Sequence, residues 1–150
     1  MADIKSPEAR SQNMSRIRSK DTKPEVWLRK KLFEQGYRYR KNVRSITGNP
    51  DAWLAKYNTA LFVHGCFWHR HEGCKYAYMP KSRIDFWTEK FQKNIKRDTV
   101  VREELTGRGI KVLIVWECTV KQMMKSEVVK DSCLDSISAF LLGADLFMEI

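Results

Sequence analysis

Every histidine of the chain, His64, His69 and His71, falls in one short window that also holds Cys66, with Cys74 just beyond. An isolated imidazole usually serves as a hydrogen-bonded core or surface group, but three converging on one loop point to metal ligation or proton transfer. Cys66-x4-His71-x2-Cys74 offers soft sulfur and nitrogen donors close enough to close on one ion, and Cys118, directly after an apolar run, can deliver a fourth. Four protein ligands fill a tetrahedral zinc shell and leave no position for water, so such a site is structural, stabilising a loop too polar to hold itself together. His69 could replace His71 as ligand, and the alternative without metal is three unpaired core thiols. Cys133 sits on an apolar helical stripe and reads as a small core residue.

His64 and His69 are then free for catalysis, and Asp51 begins a strand expected to neighbour the one ending at His64. Phosphodiester cleavage needs a hard cation on the scissile oxygens and a base to align water; carboxylate and carbonyl oxygens suit Mg²⁺, and imidazole can move the proton. The plainer reading of Asp51 is a turn residue after Pro50. Phe67 and Trp68 are adjacent large aromatics in the same loop, suited to stacking on bases or wedging into a duplex, or else to packing over the metal loop. Trp87, Lys90 and Asn94 share one helical edge, where they could read base edges or form a solvated margin beside a buried Trp87.

The elements that must position these groups follow from periodicity. Thr22-x-x-Glu25 has the form of a capping box, and Leu28 and Leu32 continue a helix over 24–35. Alternation over 37–43 predicts a half-exposed strand, and two more strands follow at 51–55 and 59–64, the second apolar on both faces and therefore central. After the irregular stretch 65–80, helical spacing resumes at Ser82 with Ile84, Trp87, Phe91 and Ile95 on one stripe, running to Gly107. A buried strand at 112–116 and a last amphipathic helix carrying Val129, Cys133, Ile137, Phe140 and Leu141 complete the chain. The order predicts an α/β (α+β) fold, a mixed sheet flanked by helices. Residues 1–23 read as a basic arm, 24–143 as the folded domain and 144–150 as a tail.

A length of 150 residues suits one domain, and 43% hydrophobic with 31% charged residues excludes a disordered or collagen-like chain. Twenty-eight Lys and Arg against 18 Asp and Glu leave a net charge of +10, which favours a polyanionic partner such as nucleic acid. The longest apolar run is far short of the ~18 residues of a membrane span, and Met-Ala-Asp-Ile-Lys lacks an apolar signal core. The expectation is a cytoplasmic protein with reduced thiols and no membrane partner.

The string Val63-His64-Gly65-Cys66-Phe67-Trp68-His69, with Pro50-Asp51, Phe86-Trp87-x-Glu89-Lys90-x3-Asn94-x2-Arg97-Asp98 and Trp116-Glu117-Cys118, closely resembles the very short patch repair (Vsr) DNA mismatch endonucleases. The resemblance implies a restriction-endonuclease-like fold and a strand-specific nick 5′ of the thymine in T·G mismatches left by 5-methylcytosine deamination. It also implies Mg²⁺ held by Asp51 and the main-chain carbonyl of Val63, with Glu25 supporting the surrounding water. His64 and His69 would handle the attacking water and the scissile phosphate, and Cys66, His71, Cys74 and Cys118 would bind structural Zn²⁺. Phe67 and Trp68 would form an intercalating wedge, Met14 would insert from the opposite groove, and Trp87, Lys90 and Asn94 would contact the mismatched pair. The partners implied are duplex DNA, mismatch-repair proteins and a repair polymerase, with the enzyme a monomer. Asn49 stands where the family usually has Arg, and Val63 where Thr is common. Rival readings are a zinc-stabilised DNA-binding module without catalysis and a related endonuclease acting on other mismatches or on paired sites.

Overall fold

The computed structural model describes residues 21–150. Met14 and nearly all of the basic arm lie outside the described residues.

Helix α1 (Lys23–Glu34) begins where the capping pattern places it: the Thr22 hydroxyl accepts from the Glu25 amide at 3.4 Å, and the Glu25 carboxylate accepts from the Asp21 amide at 2.8 Å. Together they satisfy donors that the first turn leaves without helical partners. The chain over 37–43 forms no strand, only a single antiparallel bridge between Arg40 and Trp53. Asn42 turns into the left-handed region (φ 54°), which ends any extension, and the neighbouring strand is itself only three residues long.

The sheet is mixed, in the order β1 (Ala52–Leu54), β2 (Thr59–His64), β3 (Lys111–Trp116) and β4 (Phe147–Glu149). A short 3-10 turn, Ala55–Tyr57, and a left-handed Asn58 fold β1 back antiparallel onto β2. Strand β2 then pairs parallel with β3, register Thr59↔Lys111 to His64↔Trp116, so the connection must cross over the sheet, and α2 (Ile84–Gly107) makes that crossing. Every residue of β2 and β3 is buried because both faces are covered. Leu61, Val63, Leu113 and Val115 pack with α1 and with helices α3 (Glu117–Lys125) and α4 (Glu127–Leu142), while Ala60, Phe62, Val112, Ile114 and Trp116 pack with Leu105 of α2. At the turn before β1, Gly48 (φ +84°) lies so close to α2 that a Cβ would stand 2.6 Å from Val101 Cγ1. The turn delivering Pro50 and Asp51 to the sheet is thereby pressed against α2.

Two departures from the periodicity reading concern the last third. One helix was expected after β3, whereas two form: Val120 and Met123 bury one face of α3, and Ser126 ends it and caps α4 by accepting from the Val129 amide. The segment 144–150, read as a tail, contains β4. Strand β3 has a second free edge, and the Leu146 carbonyl and the Ile150 backbone pair with it. The connection is fixed by the buried Lys111, whose ammonium donates to the carbonyls of Phe140, Leu141 and Gly143 at the C-terminal end of α4. No helix among the described residues is long and apolar enough to cross a membrane.

Candidate active site and metal centre

The loop after β2 carries Cys66, His71 and Cys74, and Cys118 sits in the first turn of α3, directly after β3. Because β2 and β3 are parallel neighbours ending at the same level, His64 beside Trp116, both segments emerge at one edge of the sheet. The four ligand atoms lie within 4.8 Å of one another. His71 Nδ1 is 3.6 Å from Cys66 Sγ and 3.4 Å from Cys118 Sγ. A tetrahedron with Zn–S of about 2.3 Å and Zn–N of about 2.0–2.1 Å has an S···N edge of about 3.6 Å, so the donor set fits zinc in both chemistry and size. His71, not His69, faces the thiols, and its ring stacks on Trp116 at 4.2 Å. Burial pushes the Cys66 thiol up to about 12, so its thiolate needs a cation beside it. The loop is further held by Arg70, whose guanidinium donates to the carbonyls of Phe67, Ala77 and Tyr78 and lies 3.9 Å over Phe91. Cys133 is half-buried on α4 against the core, away from this cluster.

His64 ends β2 and stacks on His69, ring centroids 3.9 Å apart and 8° from parallel. His69 Nδ1 is 2.7 Å from Asp98 Oδ2, on the face of α2 that meets the loop. A carboxylate only accepts, so Nδ1 carries the proton in this bond and Nε2 is the ring atom left to face another partner. Burial, and next the neighbouring His69, hold the His64 imidazole down to about 3, so it stays neutral at ordinary pH. These three residues also lie close enough to bracket an ion. Near-parallel stacked rings, however, send their in-plane lone pairs along lines that do not converge, an arrangement suited to proton handling rather than chelation.

On the other edge of β2, Asp51 Oδ2 accepts from the Val63 amide at 2.6 Å. In a strand the N–H and C=O of one residue project to the same edge, so the Val63 carbonyl also faces the side where β1 has ended. Val63 immediately precedes His64, which places Asp51 and the imidazole pair either side of one peptide unit. Glu25, buried on α1, and the Arg29 guanidinium complete this acidic group. Burial pushes the Asp51 carboxyl up to about 7, the Val63 amide and Arg29 opposing the shift and the Glu25 charge adding to it. A buried carboxylate pair beside a strand-end carbonyl is a hard oxygen set that fits a divalent cation.

Phe67 and Trp68 are half-buried, neither free in solvent nor part of the core. Phe67 meets Trp68, Tyr78, Trp87 and Phe91 at ring separations of 5.0 to 5.6 Å. On α2 the expected stripe is rotated: Ile84 and Ile95 are exposed, while Phe91, Asn94 and Leu105 are buried. Asn94 donates to the Trp68 carbonyl at 3.0 Å, so it fixes the loop that carries Phe67 and Trp68, whereas Lys90 is exposed and Trp87 half-buried. Three residues that hold the site were given no role from sequence: Asp98, Arg29 and Arg70. For Asp98 a signal existed, its i, i+4 spacing from Asn94; for the two arginines none did.

The chain matches the family described as DNA mismatch endonuclease Vsr over residues 2–75. It is 51% identical over 121 residues to the type II nicking enzyme V.NmeAIP of Neisseria meningitidis serogroup A, covering 81% of this chain and 86% of the relative. It is 39% identical over 135 residues to the type II nicking enzyme V.XorIIP of Xanthomonas oryzae pv. oryzae, 90% of this chain and 98% of the relative. With the DNA mismatch endonuclease Vsr of Escherichia coli it shares 40% identity over 150 residues, all of this chain and 94% of the relative. A mixed sheet that gathers carboxylates and imidazoles at its strand ends beside a Cys/His cluster is consistent with a restriction-endonuclease-like fold, and the chain belongs to the Vsr family of DNA mismatch endonucleases.

Proposed function

We propose that this endonuclease nicks duplex DNA 5′ of the thymine in T·G mismatches that arise by 5-methylcytosine deamination, and so starts very short patch repair. The observation that carries this reading is that His64, stacked on the Asp98-bonded His69, directly follows Val63, from whose amide the Asp51 carboxylate accepts. Asp51 and the Val63 carbonyl would hold Mg²⁺, which would supply Lewis-acid polarisation of the scissile phosphate. His69 Nε2 accepts the proton of the attacking water, and Asp98 stabilises the imidazolium that results. The neutral His64 donates its ring N–H to a phosphate oxygen, and Glu25 orients water at the metal. Zn²⁺ on Cys66, His71, Cys74 and Cys118 is structural.

Recognition is divided between a wedge and an edge. Phe67 and Trp68 enter the duplex and unstack a step at a cost of a few kcal/mol, which a mismatched pair lowers. Met14 inserts from the opposite groove, and Trp87, Lys90 and Asn94 contact the mismatched pair. The enzyme works as a cytoplasmic monomer and hands its product to mismatch-repair proteins and a gap-filling polymerase.

The test is a panel of T·G, U·G, G·G and fully paired duplexes incubated with Mg²⁺ or EDTA. Nicking 5′ of the mispaired thymine, confined to T·G and lost in EDTA, is the expected result; equal cutting of the paired duplex overturns it. In the same assay Phe67→Ala lowers discrimination between T·G and paired DNA by about tenfold or more, since the stacking of one aromatic is worth ~1–3 kcal/mol. Unchanged discrimination removes the wedge. Asp98→Asn leaves T·G binding intact but lowers single-turnover nicking by about 10²–10⁴-fold, because the amide no longer fixes the His69 tautomer; a rate within twofold of wild type removes the relay.

A further inference from the structure

Arg29 is a guanidinium only 5% exposed, and it sits inside the acidic group. Its Nη2 lies 2.6 Å from Asp21 Oδ1, and its Nη1 lies 3.5 Å from Glu25 Oε2 and 3.3 Å from the Asp51 carbonyl oxygen. Three segments are thus joined by one cation: the entry to α1, α1 itself and the chain leading into β1.

We propose that Arg29 is the built-in second cation of the phosphodiester-cleaving site, and that the site therefore works with a single divalent ion. The inference rests on the divalent-ion reading of Asp51. Metal-dependent phosphoryl chemistry is often served by two cations about 3.5–4 Å apart that share carboxylates. Here the place beside Glu25 and the Asp51 backbone is already taken by a fixed positive charge with directional N–H groups. Asp21, Glu25 and Asp51, when ionised, and Arg29 together carry two net negative charges, which one divalent ion neutralises. Outward from Arg29 the surface opens into a cleft of about 370 Å³ that also bears Lys30 and Lys41, so the field there repels a further cation rather than gathering one. Arg29 acts through Glu25 and Asp51, which makes it a positioning residue.

The test counts Mn²⁺ by electron paramagnetic resonance in the zinc-loaded, full-length protein on a T·G duplex, with Asp51→Asn as the blank. Wild type binds one Mn²⁺ per chain, and its nicking rises with Mg²⁺ at a Hill slope of about 1. Arg29→Met leaves three carboxylates without their cation, so a second Mn²⁺ binds at millimolar concentration. Its Mg²⁺ slope moves toward about 2, and nicking at limiting Mg²⁺ falls by about tenfold or more. Arg29→Lys retains the count of one. Two ions in the wild type, or an Arg29→Met protein equal to wild type in both count and slope, overturns this inference alone. Mn²⁺ binding that Asp51→Asn leaves untouched overturns the metal reading of Asp51 and this inference with it. Should Arg29→Met not fold, the wild-type count still decides.

Discussion

Asp51→Asn abolishes nicking, by about 10³-fold or more, while leaving T·G duplex binding measurable, and it makes the metal-free protein more stable above neutral pH. Both effects come from the same placement. The asparagine Oδ1 still accepts from the Val63 amide, so the turn into β1 is preserved, but the group loses the charge that would hold a divalent ion under the proposed mechanism. Each tenfold in rate is about 1.4 kcal/mol of barrier, and a misplaced Lewis acid accounts for several such factors. The stability effect follows from linkage. Burial raises the Asp51 carboxyl from 3.8 to about 7 in the fold, so the folded chain binds a proton that the unfolded chain releases. The resulting stability is full below 3.8 and is lost as pH rises through about 7. Above that, the metal-free wild type holds a strained buried carboxylate, and the neutral variant does not. Thermal melts in EDTA at pH 5 and pH 8 should therefore show the variant gaining on wild type at the higher pH, by an amount on the order of 1–3 kcal/mol. Mg²⁺ should narrow that gap by stabilising wild type alone. At limiting Mg²⁺, wild-type nicking should climb through pH 7 as the ion displaces the proton, and saturating Mg²⁺ should move the rise to lower pH. Full cleavage by Asp51→Asn, or melts whose difference does not depend on pH, would remove Asp51 from the site.

The histidine and cysteine window was legible in the sequence because its information is local: residues a few positions apart in one loop meet wherever the loop goes, and the Cys66 to Cys74 cluster needed only Cys118 from a distance. Asp98 stood in a recognisable motif yet carried no assigned role, because only the rotation of α2 against the loop sends Asp98, with Asn94, toward the site while exposing Ile84 and Ile95. That rotation is decided by packing against Phe67 and the underside of the sheet, not by hydrophobic spacing along the helix. Strand β4 was missed for a related reason: three residues with no alternation of their own become a strand only because β3 offers an open edge. The opposite error, a strand expected over 37–43, arose where alternation was present but no long partner was. Arg29 was unreadable because its meaning depends on three carboxylates brought together from separate segments.

Stripping the zinc should cost more stability than any single side-chain change in the domain, and it should silence nicking even though no zinc ligand is assigned to the reaction. The loop from Gly65 to Ala77 is held by four short-range backbone bonds, by Arg70 and by aromatic contacts. It contains no regular strand or helix of its own. Structural zinc in small domains contributes about 10–16 kcal/mol of apparent binding energy at neutral pH, of the same order as the ~5–15 kcal/mol by which a whole domain is stable. The sheet and helices have buried cores of their own, so the expected result is a fall in Tm of more than about 10 °C rather than global unfolding. It should be accompanied by loss of amide protection over 65–80 well before β2 and β3 lose theirs. Cys118→Ser, which removes the proposed ligand carried by α3, should show the same pattern. Because His69 and Phe67 ride on this loop, its release should separate His69 from His64 and Asp98 and displace Phe67, the proposed wedge. Adding Mg²⁺ alone to stripped protein should then leave nicking absent, whereas Zn²⁺ and Mg²⁺ together restore it. A stripped protein, verified as zinc-free by metal analysis, that melts like the loaded one and nicks with Mg²⁺ alone would show that the four ligands hold the loop without an ion.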